Sequence, residues 1–388
     1  MFSNSIRDVL FGENSSLEIG RKLKELNATS ALCIYDQGVK AAGLTGKIIS
    51  AIENEGIKTV SIDNVMPDPS IEALDDMAQV GRAANVNAVV AIGGGSSIDA
   101  AKVINLLLTN PGSAADYIKN RPANSVHPLF LIPTTAGTGS ECSDLAVVSD
   151  LQNKSKVAII APQLRATLAI VDPVLTWGMP GAITAFTGMD ALSHGIEGYT
   201  SKYRNQLIDV LNRECIRLAW ENLPIVAATP SDAAARSNMS FASMLGGFSI
   251  CNAPIHLGHT TAHMLGAYFH IPHGTACALV IPSVVEQMAV YGDEDICSRI
   301  CEIGEIMGLN TGGKKPADAG LEIGDALREL NKKIGIPLLS SYVDSLEQLL
   351  SIVPSVIEDP DGTLNFSPIA VTPEIVESML KKEYYVGS

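Results

Sequence analysis

Residues 87–108 read NAVVAIGGGSSIDAAKVINLLL, a continuous apolar run that ends in three glycines and passes directly into a helical pattern. A half-exposed strand alternates apolar and polar side chains. An unbroken run such as NAVVAI (87–92) is expected of a strand covered on both faces, as in a parallel sheet. Gly93, Gly94 and Gly95 stand where that strand turns into the helix. Glycine permits positive φ and lets a phosphate approach the backbone closely. Ser96 and Asp99 fit the spacing S-x-x-D, a capping box that would start the next helix. The N–H groups of its first turn, with the positive end of the helix dipole behind them, would face a pyrophosphate. The pattern is not G-x-G-x-x-G. The segment is therefore either a phosphate loop of another kind or a tight strand-to-helix turn.

The flanking sequence repeats the same grammar. SSLEIGRKLKELN (15–27) predicts an amphipathic helix, SALCIYD (30–36) a strand, 41–55 a helix and TVSIDNV (59–65) a strand. PDPS (67–70) breaks the chain, and Ser70 is placed to cap a helix running to about Ala84. PLFLIPTTAGTGSEC (128–142) is again a strand followed by a loop of small residues, and VAIIAPQLRATLAIVDPVLT (157–176) holds further strand-like segments. Strand and helix in alternation mean an α/β fold with a parallel sheet. At WGMPGAITA (177–185) the texture becomes helical. Helices are predicted near 184–200, 205–228, 231–250, 256–269, 277–291, 294–307, 316–334, 344–352 and 373–383. The expected organisation is an α/β domain over 1–180 and an all-helical domain over 181–388.

Asp36 ends the strand preceding the glycine loop in a nucleotide-type fold. An acid there either accepts hydrogen bonds from an adenosine ribose, repelling a 2′-phosphate, or is a solvated turn residue. Thr134, Thr135, Gly137, Thr138 and Gly139 form a second small, hydroxyl-rich loop, which either lines a ligand or is a plain turn.

A formal charge of −15 over 388 residues argues against nucleic acid and anionic membrane surfaces as partners, because little would neutralise phosphates over an extended footprint. It does not exclude one dinucleotide held by backbone N–H groups. MFSNSIRDVLFGENSS (1–16) lacks the apolar core of a secretory signal. No uninterrupted run of about 18 apolar residues predicts a membrane span. Seven cysteines, at 33, 142, 215, 251, 277, 297 and 301, include no C-x-x-C pair and read as reduced core residues of a cytosolic protein.

The histidines are clustered. NAPIHLGHTTAHMLGAYFHIPHG (252–274) holds His256, His259, His263, His270 and His273, five of the seven in the chain. A sixth, His194, lies in GMDALSHGIE (188–197). Neutral imidazole is the commonest protein ligand for transition metals. On helices, Asp190 and His194 share a face, as do His256, His259 and His263. A lone histidine is usually a core residue, but five within so short a stretch are harder to explain by packing. Asp190, His194, His259 and His273 make a closed set for a divalent metal, with His273 in a loop that turns its ring back towards a helix. His263, one turn past His259, is placed to move protons. His256 and His270 read either as support for the ligands or as plain surface residues.

GGGSSIDAAK, PTTAGTGSE, DPVLT, TGMDALSHGIEGYTS and GHTTAHMLGAYFHIPHG occur in the order found in iron-containing alcohol dehydrogenases, and the chain resembles that family over nearly its whole length. The resemblance implies a dinucleotide-binding α/β domain followed by an all-α domain, the architecture shared with dehydroquinate synthase. It implies metal ligation by Asp190, His194, His259 and His273, with Fe²⁺ or Zn²⁺ as the ion and His263 near the nicotinamide. It implies that Gly94, Gly95, Ser96 and Asp99, then Thr134, Thr135 and Thr138, and also Lys156 and Leu175, contact NAD. Asp36 matches the acid associated with preference for NAD over NADP. The implied reaction is hydride transfer between NAD(H) and a small primary alcohol or its aldehyde, in a cytoplasmic homodimer. An anionic aldehyde carrying carboxylate, sulfonate or phosphonate, a polyol substrate and a non-catalytic sensor are the alternatives. Two stretches depart from the pattern, CSDLAVVSD (142–150) and NFSPI (365–369). Both bear on the substrate rather than on the proposed ligands.

Overall fold

The computed structural model describes residues 8–151, 155–360 and 362–386. Residues 1–7, part of the stretch read above as lacking a secretory core, lie outside the described residues. The chain divides into two compact units, Ser5–Met179 and Pro180–Ser388.

The first unit carries strands β1 (Val9–Phe11), β2 (Ser30–Ile34), β3 (Lys58–Ile62), β4 (Ala88–Gly93), β5 (Leu129–Pro133), β6 (Leu145–Asp150), β7 (Ser155–Ile160) and β8 (Leu168–Val171). Its helices are α1 (Ile19–Glu25), α2 (Gln37–Ala41), α3 (Leu44–Glu53), α4 (Ile71–Ala84) and α5 (Gly95–Thr109). Six strands form one parallel sheet in the order β1-β8-β5-β4-β2-β3. The central strands β4 and β5 are buried at every residue, which is why their sequences are continuously apolar. One face packs Ala31, Cys33, Val90, Ile92, Phe130 and Ile132 against Ile19, Leu23, Ile48 and Ile52 of α1 and α3. On the other face Gly81 of α4 lies between Leu32 of β2 and Leu108 of α5, where a Cβ would come 2.7 Å from Leu108 Cδ2 and 3.0 Å from Leu32 Cδ2 and would have to displace those side-chain ends.

The chain leaves β2 for β3 on one side and then returns to place β4 on the other side of β2. The carboxyl ends of β2 and β4 therefore flank a topological switch point, where open α/β sheets bind ligands. Asp36 and the glycine loop follow those two strands.

Two expectations change in this unit. The helix expected over 41–55 is α3, Leu44–Glu53, and a short helix α2 not expected there precedes it, set apart by Gly43 at φ 73°. β6 and β7 leave the main sheet and pair antiparallel with each other, Val147 opposite Ala158.

The second unit contains α6 (Gly181–Thr200), α7 (Gln206–Ala228), α8 (Ala233–Ile250), α9 (Leu257–Phe269), α10 (His273–Tyr291), α11 (Glu294–Ile306), α12 (Pro316–Ile334), α13 (Leu346–Leu350), α14 (Val353–Glu358) and α15 (Pro373–Tyr384). α6 is its axis. Residues from Thr184 to Thr200 are almost all buried, and α7, α8 and α10 surround them. α10 is long and apolar enough to cross a membrane, but 83% of that stretch is buried inside the molecule, as in a core helix. α10 begins at His273 rather than near 277, so His273 is a helical residue and not part of the expected loop. Pro272 precedes it with φ −55°, a fixed conformation that suits the entry to a helix.

Candidate functional site

Asp190, His194 and Glu197 sit at i, i+4 and i+7 on α6 and so share one face. All three are buried, and burying polar groups of this kind costs several kcal/mol unless each finds a partner. The Glu197 carboxylate finds its partners at the start of α9. One oxygen, Oε1, accepts the backbone N–H groups of His256 at 3.1 Å and Gly258 at 2.8 Å. The other, Oε2, accepts the N–H of His259 at 3.2 Å and also bonds to Nδ1 of the His259 ring. A residue of α6 thus satisfies the orphan donors of α9 and places a negative charge at its positive end. The approach needs Gly258, since a Cβ there would lie 3.0 Å from the Glu197 carboxyl carbon.

Donation of Nδ1–H to Glu197 orients the His259 ring and leaves Nε2 to face Asp190. Burial opposes a charged ring, but the surrounding Cys277, Glu197 and Asp190 draw it towards its charged form. Nε2 of His259 is 3.5 Å from Oδ1 of Asp190, which is also 3.4 Å from Nε2 of His194 and 3.5 Å from Nε2 of His273. His273 reaches the group because the first turn of α10 packs on α6. A Cβ at Gly274 would strike the carbonyl oxygen of Phe186, one turn before Asp190. The structure therefore brings His194, His259 and His273 each within 3.5 Å of Oδ1 of Asp190. The His194 and His259 rings stack with centroids 4.8 Å apart, and His263 lies 5.3 Å from His273, ring to ring.

Asp190 Oδ1 and His259 Nε2 are buried without a hydrogen-bond partner. Two such atoms facing each other are costly unless a cation joins them, and an oxygen with three imidazole nitrogens suits a borderline divalent metal. The electrostatics agree. Burial pushes the Asp190 carboxyl up, but the facing His194 and His273 rings and the contact with His259 hold it well below the usual range. Burial drives His194 down to about 4, so that it is neutral. Burial also opposes a charged His273, yet Cys277 and Asp190 raise it to about 10. Taken together the cluster favours positive charge at its centre.

The remaining histidines separate clearly. His256 is fully buried, its Nε2 3.1 Å from the Thr200 hydroxyl, so it is no surface residue. His270 is exposed and closes α9 in the left-handed conformation at φ 55°.

In the first unit, Gly94, Gly95 and Ser96 are part-exposed at the start of α5, and no side chain caps that helix. Its first-turn N–H groups lack the usual side-chain acceptor, as an anion-binding terminus requires. The expected capping box is not formed. Ser96 lies inside the helix and its hydroxyl accepts the N–H of Asp68 at 3.2 Å. Asp99 turns inward, where it accepts the Ser140 hydroxyl and the Val147 N–H and lies 3.6 Å from Lys102. It ties the second loop to α5. Nor do Gly93, Gly94 and Gly95 use positive φ. They are small because neighbours are close. A Cβ on Gly93 would lie 2.6 Å from Ser97, one on Gly94 3.3 Å from Thr135, and one on Gly95 2.9 Å from Thr138. The Thr135 and Thr138 side chains therefore back directly onto the glycine loop, while the Thr134 N–H continues the ladder to Gly93 at 2.9 Å. Asp36 caps α2 through Val39 at 2.9 Å and accepts the Ser97 hydroxyl at 3.2 Å, which joins the ends of β2 and β4. Lys156 pairs with Asp68 at 2.8 Å, and Leu175 belongs to the buried apolar cluster of the sheet.

Residues 7–173 match the family model described as iron-containing alcohol dehydrogenase, and residues 184–384 match that of the C-terminal part of the Fe-containing alcohol dehydrogenase family. The chain belongs to the iron-containing alcohol dehydrogenase family. It is 34% identical over 336 residues to the NAD-dependent methanol dehydrogenase of Bacillus methanolicus, covering 86% of this chain and 87% of the relative. It is 34% identical over 377 residues to alcohol dehydrogenase 4 of Saccharomyces cerevisiae, covering 96% of each. Among solved structures, 1,3-propanediol oxidoreductase superposes with a TM-score of 0.93 at 30% identity, covering 99% of this chain and 100% of that one. As a member of the family the protein is an alcohol–aldehyde oxidoreductase.

Two residues beside the candidate metal centre escape a reading by histidine spacing. Glu197 continues the Asp190–His194 face by one turn, and that spacing alone was the available signal. Cys277 lies one turn after His273 on α10, and its sulfur is 3.7 Å from Nε2 of that ring. One donor atom each from Asp190, His259, His273 and Cys277 lie within 4.8 Å of one another.

Proposed function

We propose that this member of the family interconverts a small primary alcohol and its aldehyde with NAD(H), assisted by a divalent cation, Fe²⁺ or Zn²⁺, held by Asp190, His194, His259 and His273. The observation that carries the proposal is the convergence of three imidazole Nε2 atoms on Oδ1 of Asp190, within 3.5 Å, with two of these atoms buried and unpartnered. When bound, such a cation supplies Lewis acidity towards a substrate oxygen, and NAD supplies the hydride chemistry.

The protein's own part is placement and protons. Glu197 holds the His259 ring in one orientation. Asp190 supplies the negative charge that offsets a cation, and His194, kept neutral by burial, keeps its lone pair available. His263, beside His273, is the group through which the hydroxyl proton passes towards solvent. The part-exposed first turn of α5 takes the pyrophosphate on the N–H groups of Gly94, Gly95 and Ser96, with Thr135 and Thr138 behind it. Asp36 accepts the adenosine ribose hydroxyls and repels a 2′-phosphate.

The test is an activity screen of iron-loaded and zinc-loaded protein with NADH, against short, branched and anionic aldehydes, with the chelated protein as control. NADH oxidation that disappears on metal removal and returns on reloading supports the proposal. Bound metal and NAD without turnover on any member would instead make the chain a sensor, and undiminished turnover by metal-free protein would remove the cation from the chemistry.

A further inference from the structure

We propose that Cys277 supplies a sulfur donor to the same cation, giving this chain a mixed oxygen, nitrogen and sulfur site that favours zinc over iron. The inference rests on the divalent-cation reading of the Asp190 cluster.

The geometry carries it. Oxygen and nitrogen donors about 2.1 Å from a common centre at tetrahedral angles stand about 3.4 Å apart, and a sulfur at about 2.3 Å stands about 3.6 Å from a nitrogen. The Asp190 oxygen lies 3.5 Å from Nε2 of both His259 and His273, and the Cys277 sulfur lies 3.7 Å from Nε2 of His273. These three distances match edges of one coordination polyhedron, and the remaining donor pairs of the set lie within 4.8 Å of one another. The compact four-donor group in this cluster is Asp190, His259, His273 and Cys277. His194 approaches from the Asp190 side at 3.4 Å as a further donor.

A simple S–H bond to His273 is the rival explanation of the short distance. It is incompatible with ligation by His273, because a neutral imidazole Nε2 offers one lone pair, which cannot serve a cation and a thiol proton together. Cys277 is itself buried, and it reaches the group because i and i+4 share a face of α10. On binding, the thiol proton leaves to solvent as the sulfur–metal bond forms. Thiolate is the softest donor in the set and selects Zn²⁺ over Fe²⁺.

The experiment uses the full chain stripped and reloaded with Co²⁺ or Zn²⁺. The wild type, Cys277→Ser, Cys277→Ala and His259→Ala are compared. The expected result is a strong sulfur-to-cobalt charge-transfer band in the near ultraviolet for the wild type. Both Cys277 variants still bind cobalt but lack the band, and they lose at least about tenfold in the ratio of Zn²⁺ to Fe²⁺ affinity. X-ray absorption on the zinc-loaded wild type is expected to show one sulfur neighbour at about 2.3 Å, a readout that needs no variant. Stoichiometric cobalt in the wild type without the band, or an all oxygen and nitrogen shell around zinc, overturns the sulfur proposal and leaves the metal site standing. No cobalt binding by the wild type, or full binding by His259→Ala, overturns the site itself.

Discussion

The Glu197 carboxylate is hydrogen-bonded to Nδ1 of His259, and the opposite nitrogen of that ring stands 3.5 Å from Oδ1 of Asp190. Asp190 and Glu197 are two turns apart on one helix, so α6 grips the His259 ring from both sides. Removing the far carboxylate leaves the candidate ligands intact but lets the ring turn. Glu197→Gln is expected to weaken divalent-metal affinity by about 10- to 100-fold. Competition against a chromogenic chelator measures this, and an unchanged affinity would mean that Glu197 only caps α9.

Two buried carboxyls give opposite pH dependences. Burial pushes Glu141 up from 4.5 to about 7. The folded chain then holds this proton more tightly than the unfolded chain, so its contribution to stability is full below about 4.5 and declines as pH rises through about 7. Burial also acts on Glu197, but His259, His256 and the Gly258 N–H outweigh it and bring that carboxyl down to about 2. Its contribution is full above about 4.5 and is lost as pH falls towards about 2. Denaturant midpoints across pH are the check. Glu141→Gln should gain on the wild type as pH rises towards neutrality, and Glu197→Gln should be most deficient above the ordinary carboxyl range. Curves parallel to the wild type would contradict both assignments.

Asp36 has two tasks that substitution can separate. It caps α2 through Val39, and its charge faces the end of β4 beside Ser97. Asparagine keeps the cap and removes the charge, whereas alanine removes both at a cost of about 1 kcal/mol. Asp36→Asn is therefore expected to improve use of NADP relative to NAD with little change in thermal midpoint, and Asp36→Ala to do so with a lowered midpoint. Steady-state kinetics with both cofactors decides it, since an unaltered preference would detach Asp36 from the ribose.

Much of this was legible in the sequence, for identifiable reasons. NAVVAI announced a doubly covered strand because β4 is buried along its whole length. Most helices after Pro180 stood out by their pattern, though α14 (Val353–Glu358) was not among those expected, and Ser70 does accept the Ala73 N–H at the start of α4. The Asp190–His194 and His259–His263 spacings carried the cluster because helical periodicity alone aligns them. What failed depended on partners remote in the chain. S-x-x-D at Ser96 looked like a cap, but Asp99 is claimed by Ser140 and Val147, more than forty positions away. Glu197 lay within a quoted motif, yet its role appears only when the start of α9 is seen against it. Cys277 resembled core filler because a count of cysteines cannot show which histidine one of them faces.

The central claim is that four side chains, distant in sequence, hold a single divalent cation that the reaction requires. Its most direct test is metal analysis after exhaustive dialysis against trace Zn²⁺ or Fe²⁺, paired with NAD titration on the same samples. The account predicts one ion per wild-type chain, essentially none in His259→Ala and Asp190→Asn, and NAD binding largely retained in both. A full complement of metal in either variant, or alcohol oxidation at wild-type rate without any, would contradict it.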